Sequence, residues 1–212
     1  MNYTPAMNLL DRLPAPPGDT LFAGFTIATA FAAALVMSFD FVPILDHVNL
    51  AFHESGHVFF GIFGELMHWF GGTLGQFVFP LACTIYFVRQ GKMLQAGGCA
   101  IWGFENLRYV AFYLGDARTQ IIPLVGGGQH DWAYLLGRFG LLQQDQRIAS
   151  FLTFVSWSGW VVVWGAVAWW WWLGRSQRAD LQTAERRRQI IEAARERGAA
   201  QRERSAGRSR EG

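Results

Sequence analysis

Three stretches of the chain run for about a membrane's thickness without a charged residue: 21–39 (LFAGFTIATAFAAALVMSF), 66–88 (LMHWFGGTLGQFVFPLACTIYFV) and 148–173 (IASFLTFVSWSGWVVVWGAVAWWWWL). About 20 apolar residues at helical rise cover a hydrocarbon core of roughly 30 Å. A soluble helix is rarely apolar on every face for so long. Two further apolar segments are interrupted. One, about 44–64, carries Asp46, His53, Glu54 and His57 and gives way at Glu65, and the other, about 93–115, carries Glu105, Asn106 and Arg108. With 21–42, 72–88 and 150–173 they predict an all-α, polytopic transmembrane helical bundle of about five membrane segments.

Polar groups divide the chain into three parts: an N-terminal segment 1–20, a transmembrane domain 21–174 and an Arg-rich tail 175–212. The tail holds 11 Arg against 6 acids, leaving 7 Lys or Arg against 10 acids in the rest. Its Ala, Arg, Glu and Gln favour a helix, and Leu181, Ile190 and Ile191 are too few for a coiled-coil stripe. Positive charge marks the cytoplasmic face, so Arg89, Lys92 and the tail are expected in the cytosol and the loop 116–149 on the opposite side. The amino terminus lies outside if the second segment spans fully and inside if that segment is a half-helix. No cleavable leader is expected in 1–20, which lacks a basic start and a small-residue cleavage site. The expected location is therefore the cell membrane, multi-pass, with a cytoplasmic carboxyl terminus. The bilayer is the expected surrounding, and no nucleic-acid partner is expected. Cys83 and Cys99 form no CxxC and read as buried thiols.

The second segment contains AFHESGHVFFG, residues 51–61, and with it the pattern HExxH. Histidines four apart share one helical face and can hold one metal ion, with Glu54 beside it. The competing reading is a pair of histidines bonded to neighbouring helices. Three titratable groups within five positions of an apolar helix are costly, however, at about 3 kcal/mol for a charged one. Gly56, Gly61 and Gly64 would also let another helix approach closely. Zn2+ is the metal expected of this motif. It acidifies water, and Glu54 would take that proton and pass it to the leaving amine.

A catalytic zinc site needs a third protein ligand. On a continuous helix His47 points away from the His53/His57 face, and His68 returns to it three turns farther on. Better candidates lie downstream. Asp116 ends the fourth segment in FYLGDAR, where pairing with Arg118 is its alternative role. His130 and Asp131 follow three glycines in GGGQHDW and precede the amphipathic WAYLLGRFGLL. There Asp131 can serve as an N-cap and His130 can be solvated. VGGGQH lacks the lysine and strand context of a phosphate loop.

HExxH within a transmembrane segment resembles the site-2 protease class of intramembrane zinc metalloproteases. In that class a later helix supplies an aspartate in an Asn…Leu-Asp-Gly pattern, and a Gly-Pro-x-x-Asn element lies between. Here HESGH matches the first motif, GGTLGQF (71–77) is similar to the middle element with Gln76 at the amide, and NLRYVAFYLGDA is similar to the third with Asn106 and Asp116. Leu-Gly-Asp-Ala stands in place of Leu-Asp-Gly, and the prolines and any PDZ-like insertion are missing. The resemblance, over about 44–120, implies metal ligands His53, His57 and Asp116, with Glu54 as general base. It further implies that Gln76 or Asn106 bonds the substrate backbone or the oxyanion. The function expected is cleavage of a transmembrane or membrane-proximal peptide. The alternative is a non-proteolytic metal-binding membrane protein acting as an assembly or scaffold subunit.

Overall fold

The computed structural model describes residues 15–124 and 128–208, with side chains as far as residue 198. Most of the expected segment 1–20, two of the three glycines before Gln129, and the end of the tail lie outside the described residues. Six α-helices follow in order: α1 Asp19–Ser38, α2 Leu45–Gly61, α3 Glu65–Arg89, α4 Met93–Gly115, α5 Asp131–Arg138 and α6 Asp145–Arg208. A 3-10 turn, Leu142–Gln144, leads into α6. The all-α expectation holds. Among the described residues three helices, rather than five, are long and apolar enough to cross a membrane: α1, α3 and α6.

The distribution of polarity explains why α2 falls short of that standard while still belonging to the bundle. Its buried residues are Asp46, Asn49, His53 and Gly56, a stripe at i, i+3, i+7 and i+10 on one face. Its exposed face carries Val58 and Phe59, at 78% and 62% exposure. A water-soluble helix has the reverse arrangement. Polar groups turned inward and apolar groups turned outward are what a lipid surrounding selects. Buried Glu105 and Asn106 on α4 follow the same rule.

Asp46, Asn49 and Glu105 satisfy one another. Asn49 Nδ2 donates to Asp46 Oδ1 at 3.2 Å and to Glu105 Oε2 at 3.0 Å. Trp102 Nε1 donates to Asn49 Oδ1 at 2.8 Å. Asp46 Oδ2 also accepts the Val42 N–H. That last bond closes the turn between α1 and α2, in which Ile44, a β-branched residue, sits at φ 74°. L-residues of that kind rarely adopt such a conformation, so the buried carboxylate holds a strained turn in place.

The sequence between α2 and α3 does not continue one helix. Gly64, at φ 110°, turns the chain back on itself, and α2 and α3 form an antiparallel hairpin. Gly71 and Gly75, four apart, meet Gly56 so closely that a Cβ at any of the three would run into the opposing backbone. This is small-residue packing of the kind used between membrane helices. Helix α3 therefore begins at Glu65, earlier than the expected 72. The fifth segment and the tail form a single helix, because nothing from 174 onward breaks it and Gly174 lies inside it.

Two ends of the bundle can be distinguished. Trp171 Nε1 donates to Asp19 Oδ1 at 2.8 Å, and Arg178 Nη2 lies 3.8 Å from the same oxygen. A Cβ at Gly97 would touch Val167 and Phe25. The start of α1, the α3–α4 turn with Arg89 and Lys92, and the onset of the basic tail therefore share one end. Helix α5, the α2–α3 turn and the start of α6 occupy the other.

Candidate metal centre

His53 and His57 lie on the inward face of α2, one turn apart, as the HExxH spacing requires. Helix α3 reaches them through Gly72, where a Cβ would stand 2.5 Å from His53 Nε2 and 2.5 Å from His57 Nε2. Only a residue without a side chain leaves space for both rings. The hairpin also fixes the ring of His57. Its Nδ1–H donates to the His68 carbonyl at 2.7 Å, and His68 Nδ1–H donates to the His57 carbonyl at 3.1 Å. With Nδ1 protonated, the lone pair of His57 is on Nε2, facing His53.

The third group is Asp131. Its Oδ2 lies 2.8 Å from His53 Nε2 and 3.2 Å from His57 Nε2, and the two Nε2 atoms are 3.1 Å apart. These are the only three His, Cys, Asp or Glu side chains among the described residues that converge as metal ligands do. A tetrahedral ion with bonds of about 2.0–2.1 Å keeps its ligand atoms roughly 3.3 Å apart, within about 0.5 Å of every separation here. Two imidazoles and one carboxylate form a donor set that suits zinc and leaves a fourth position open. The residues present fit such an ion.

Asp131 is the first residue of α5, and its backbone N–H donates to Tyr113 Oη at 3.3 Å. Helix α5 is in turn clamped to the start of α3. Trp69 stacks on Tyr134 with centroids 4.5 Å apart, and Tyr134 Oη donates to Glu65 Oε1 at 2.7 Å. Leu136 packs with Leu114, Ala117 and Ala149 beneath it. Burial raises the Asp131 carboxyl, but the bonds from His53 and His57 outweigh it and hold the group below the usual carboxylate range.

Asp116, expected as third ligand, is not in this group. It caps the turn after α4 instead: Oδ1 accepts from Thr119 Oγ1 at 2.5 Å and from Ile121 N at 3.0 Å, and Oδ2 accepts from Ile122 N at 2.9 Å. Its suggested pairing with Arg118 is absent as well, since Arg118 Nε donates to both oxygens of Asp145 at 2.8 Å. His130 is fully buried rather than solvated. It, and not Asp131, caps α5, with Nδ1 accepting from Ala133 N at 3.3 Å. Gln76 and Asn106 lie buried in the interior of the bundle, on α3 and α4. Gln76 Oε1 and both polar atoms of the Asn106 amide lack hydrogen-bond partners among the described residues. On one continuous helix His68 would stand three turns from His57, but the hairpin brings it beside His57.

A cleft of about 770 Å³ opens over the centre, and its walls include His53, Glu54, His57, Asp131, Tyr113 and Trp69. Gln76 and Asn106 do not line it. Glu54, next to His53 but turned about 100° round the helix, is exposed to the cleft space. A carboxylate with no hydrogen-bond partner among the described residues thus stands in the same cavity as a three-donor centre.

No family model, no curated protein and no solved structure matches this chain.

Proposed function

We propose that the chain is a membrane-embedded zinc metalloprotease that cleaves a transmembrane or membrane-proximal peptide. The observation that carries the reading is the convergence of His53, His57 and Asp131 within about 0.5 Å of tetrahedral ligand spacing, with Glu54 in the same cleft. Zinc held there would supply Lewis acidity toward water and toward a peptide carbonyl. Glu54 accepts a proton from the attacking water at its carboxylate and returns it to the departing amine, the general base and then general acid. Asp131 and the His68-bonded His57 keep the donor atoms in place. A helical substrate unwinds locally before water attacks its peptide bond. A purely structural site has no use for Glu54, which separates this reading from an assembly or scaffold role.

The two-ended arrangement supports a particular topology. Residue 19 and residues 171–178 share the end that carries Arg89 and Lys92, the cytoplasmic face by the charge rule. An even number of full crossings follows: α1, α3 and the apolar part of α6, with α4, whose polar groups face inward, as the fourth, while α2 starts partway along the bundle, where Asn49 meets Glu105 of α4, and runs to the far end. In a variant lacking Cys83 and Cys99, Gly18→Cys and Ser176→Cys should be labelled from the cytosol and Arg147→Cys from outside. Labelling of Gly18→Cys and Ser176→Cys from opposite faces would contradict it.

The catalytic reading is tested with Glu54→Gln. The amide keeps the shape and loses the basic oxygen, so turnover should fall by roughly 10²–10⁴-fold while bound metal stays the same. Cells expressing wild type and Glu54→Gln are compared by mapping new peptide termini in the membrane fraction. Termini that depend on wild type support proteolysis. Identical termini with metal retained in both would leave the scaffold reading standing.

A further inference from the structure

Of the three groups in the centre, Asp131 alone is brought in by a loop, and a loop holds a ligand only as well as its ends are fixed. The connection runs from the end of α4 to the start of α5, and one carboxylate touches both of its ends. At the near end Asp116 collects Thr119 Oγ1 and the Ile121 and Ile122 N–H groups. At the far end Asp116 Oδ2 lies 3.9 Å from His130 Nε2.

The state of His130 follows from its bonds. Its Nδ1 accepts from Ala133 N, so the neutral ring carries its proton on Nε2. That N–H is fully buried and has no hydrogen-bond partner among the described residues. Burial makes an unpaired donor unfavourable, and the nearby anionic acceptor is Asp116. The ring also lies flat on Tyr113, with centroids 4.1 Å apart and planes at 19°, and Tyr113 Oη accepts the Asp131 N–H. Tyr113 thus joins His130 to the residue that follows it.

We propose that Asp116 and His130 act together as positioning residues for Asp131: a carboxylate–imidazole brace that staples the two ends of the 116–131 loop and sets the third metal ligand. The two residues that sequence offers as rival ligands thereby serve the third. The brace rests on the reading of His53, His57 and Asp131 as a metal centre, and its test separates the two.

The full-length protein in detergent, stripped of metal, is titrated with Co2+ and followed by its visible d–d absorption. Wild type should show saturable binding with the strong bands of a low-coordinate site. Asp116→Asn and His130→Asn should each weaken Co2+ binding by roughly 10–100-fold, as loss of groups behind metal ligands does, with band positions unchanged. The double variant should be no weaker than the weaker single, because the pair acts as a unit. Asparagine is a good N-cap, so a mere capping role for His130 predicts that His130→Asn binds as wild type while His130→Ala does not. Arg118→Ala, which severs the ties to Asp145 and Gln143 and touches neither member of the brace, should lower the melting temperature and leave Co2+ affinity within twofold. Wild-type affinity in Asp116→Asn, rescue by His130→Asn, or additive losses in the double variant would each overturn the brace while the centre stands. Absence of Co2+ binding by wild type would overturn the centre and the brace with it.

Discussion

The donors of the candidate centre arrive by two routes. His53 and His57 come on one helix, and everything that places them is short-range or periodic: the four-residue spacing, the glycines that admit α3, and the reciprocal bonds with His68 across a tight turn. Asp131 comes at the end of a loop, and what places it is non-local: a tyrosine 18 residues earlier, a clamp to Glu65 through Tyr134, and the Asp116–His130 pair. Helical periodicity makes the first half rigid by construction. The second half depends on polar contacts whose partners lie far apart in sequence, so it is the half that can be loosened without touching a ligand.

That contrast can be broken hardest from the hairpin side. Gly72→Val would put a branched side chain where His53 and His57 have their donor nitrogens. Overpacking of this kind costs about 1–3 kcal/mol, and the rings have nowhere to go but out of register. Metal affinity should fall by at least roughly 10–100-fold at that cost, with helix content by circular dichroism unchanged. Full metal content in Gly72→Val, measured by inductively coupled plasma mass spectrometry, would mean that α3 does not crowd the histidines as described.

A smaller effect separates backbone from side chain. His57 is oriented by the His68 carbonyl, which any residue supplies, whereas the His68 ring contributes only the return bond to the His57 carbonyl. His68→Ala should therefore cost about 0.5–1.5 kcal/mol of stability and change metal affinity by less than about tenfold. A complete loss of metal in His68→Ala would give the His68 ring a direct part in the centre.

The same division decides what could be read from sequence. HExxH placed both histidines and Glu54, because helical geometry converts spacing directly into a shared face. The bounds of α4 were legible as 93–115, since flanking Lys92 and Asp116 bracket an apolar run. The start of α3 was not. Gly71, Gly72 and Gly75 depress helix propensity, and only their packing against Gly56 shows why a helix accepts them. His68 was misplaced for the related reason that one glycine at φ 110° converts a straight continuation into a hairpin. Asp116 and Asp131 could not be ranked by residue type, as both are aspartates near helix ends. The difference lies in which backbone N–H groups each can reach, and the loop sets that. The neighbouring tryptophan and the preceding histidine in QHDW were a usable hint, since they mark a buried rather than a solvated helix start. The inverted polarity of α2 was visible as His, Glu and Asp within an apolar segment. Its inward direction became clear only with Asn49 bridging Asp46 and Glu105.

The central claim is that the metal is held by His53, His57 and Asp131. Zinc per chain is measured on protein purified from the membrane and re-equilibrated with buffered zinc, for wild type, His53→Ala, Asp131→Ala and Asp116→Ala. The account predicts about one zinc for wild type and almost none for His53→Ala or Asp131→Ala, since two ligands hold the ion far more weakly than three. Asp116→Ala should keep an intermediate content that rises to the wild-type level at higher zinc. A metal-free wild type, or an Asp131→Ala protein that keeps its zinc while Asp116→Ala loses it, would contradict the account.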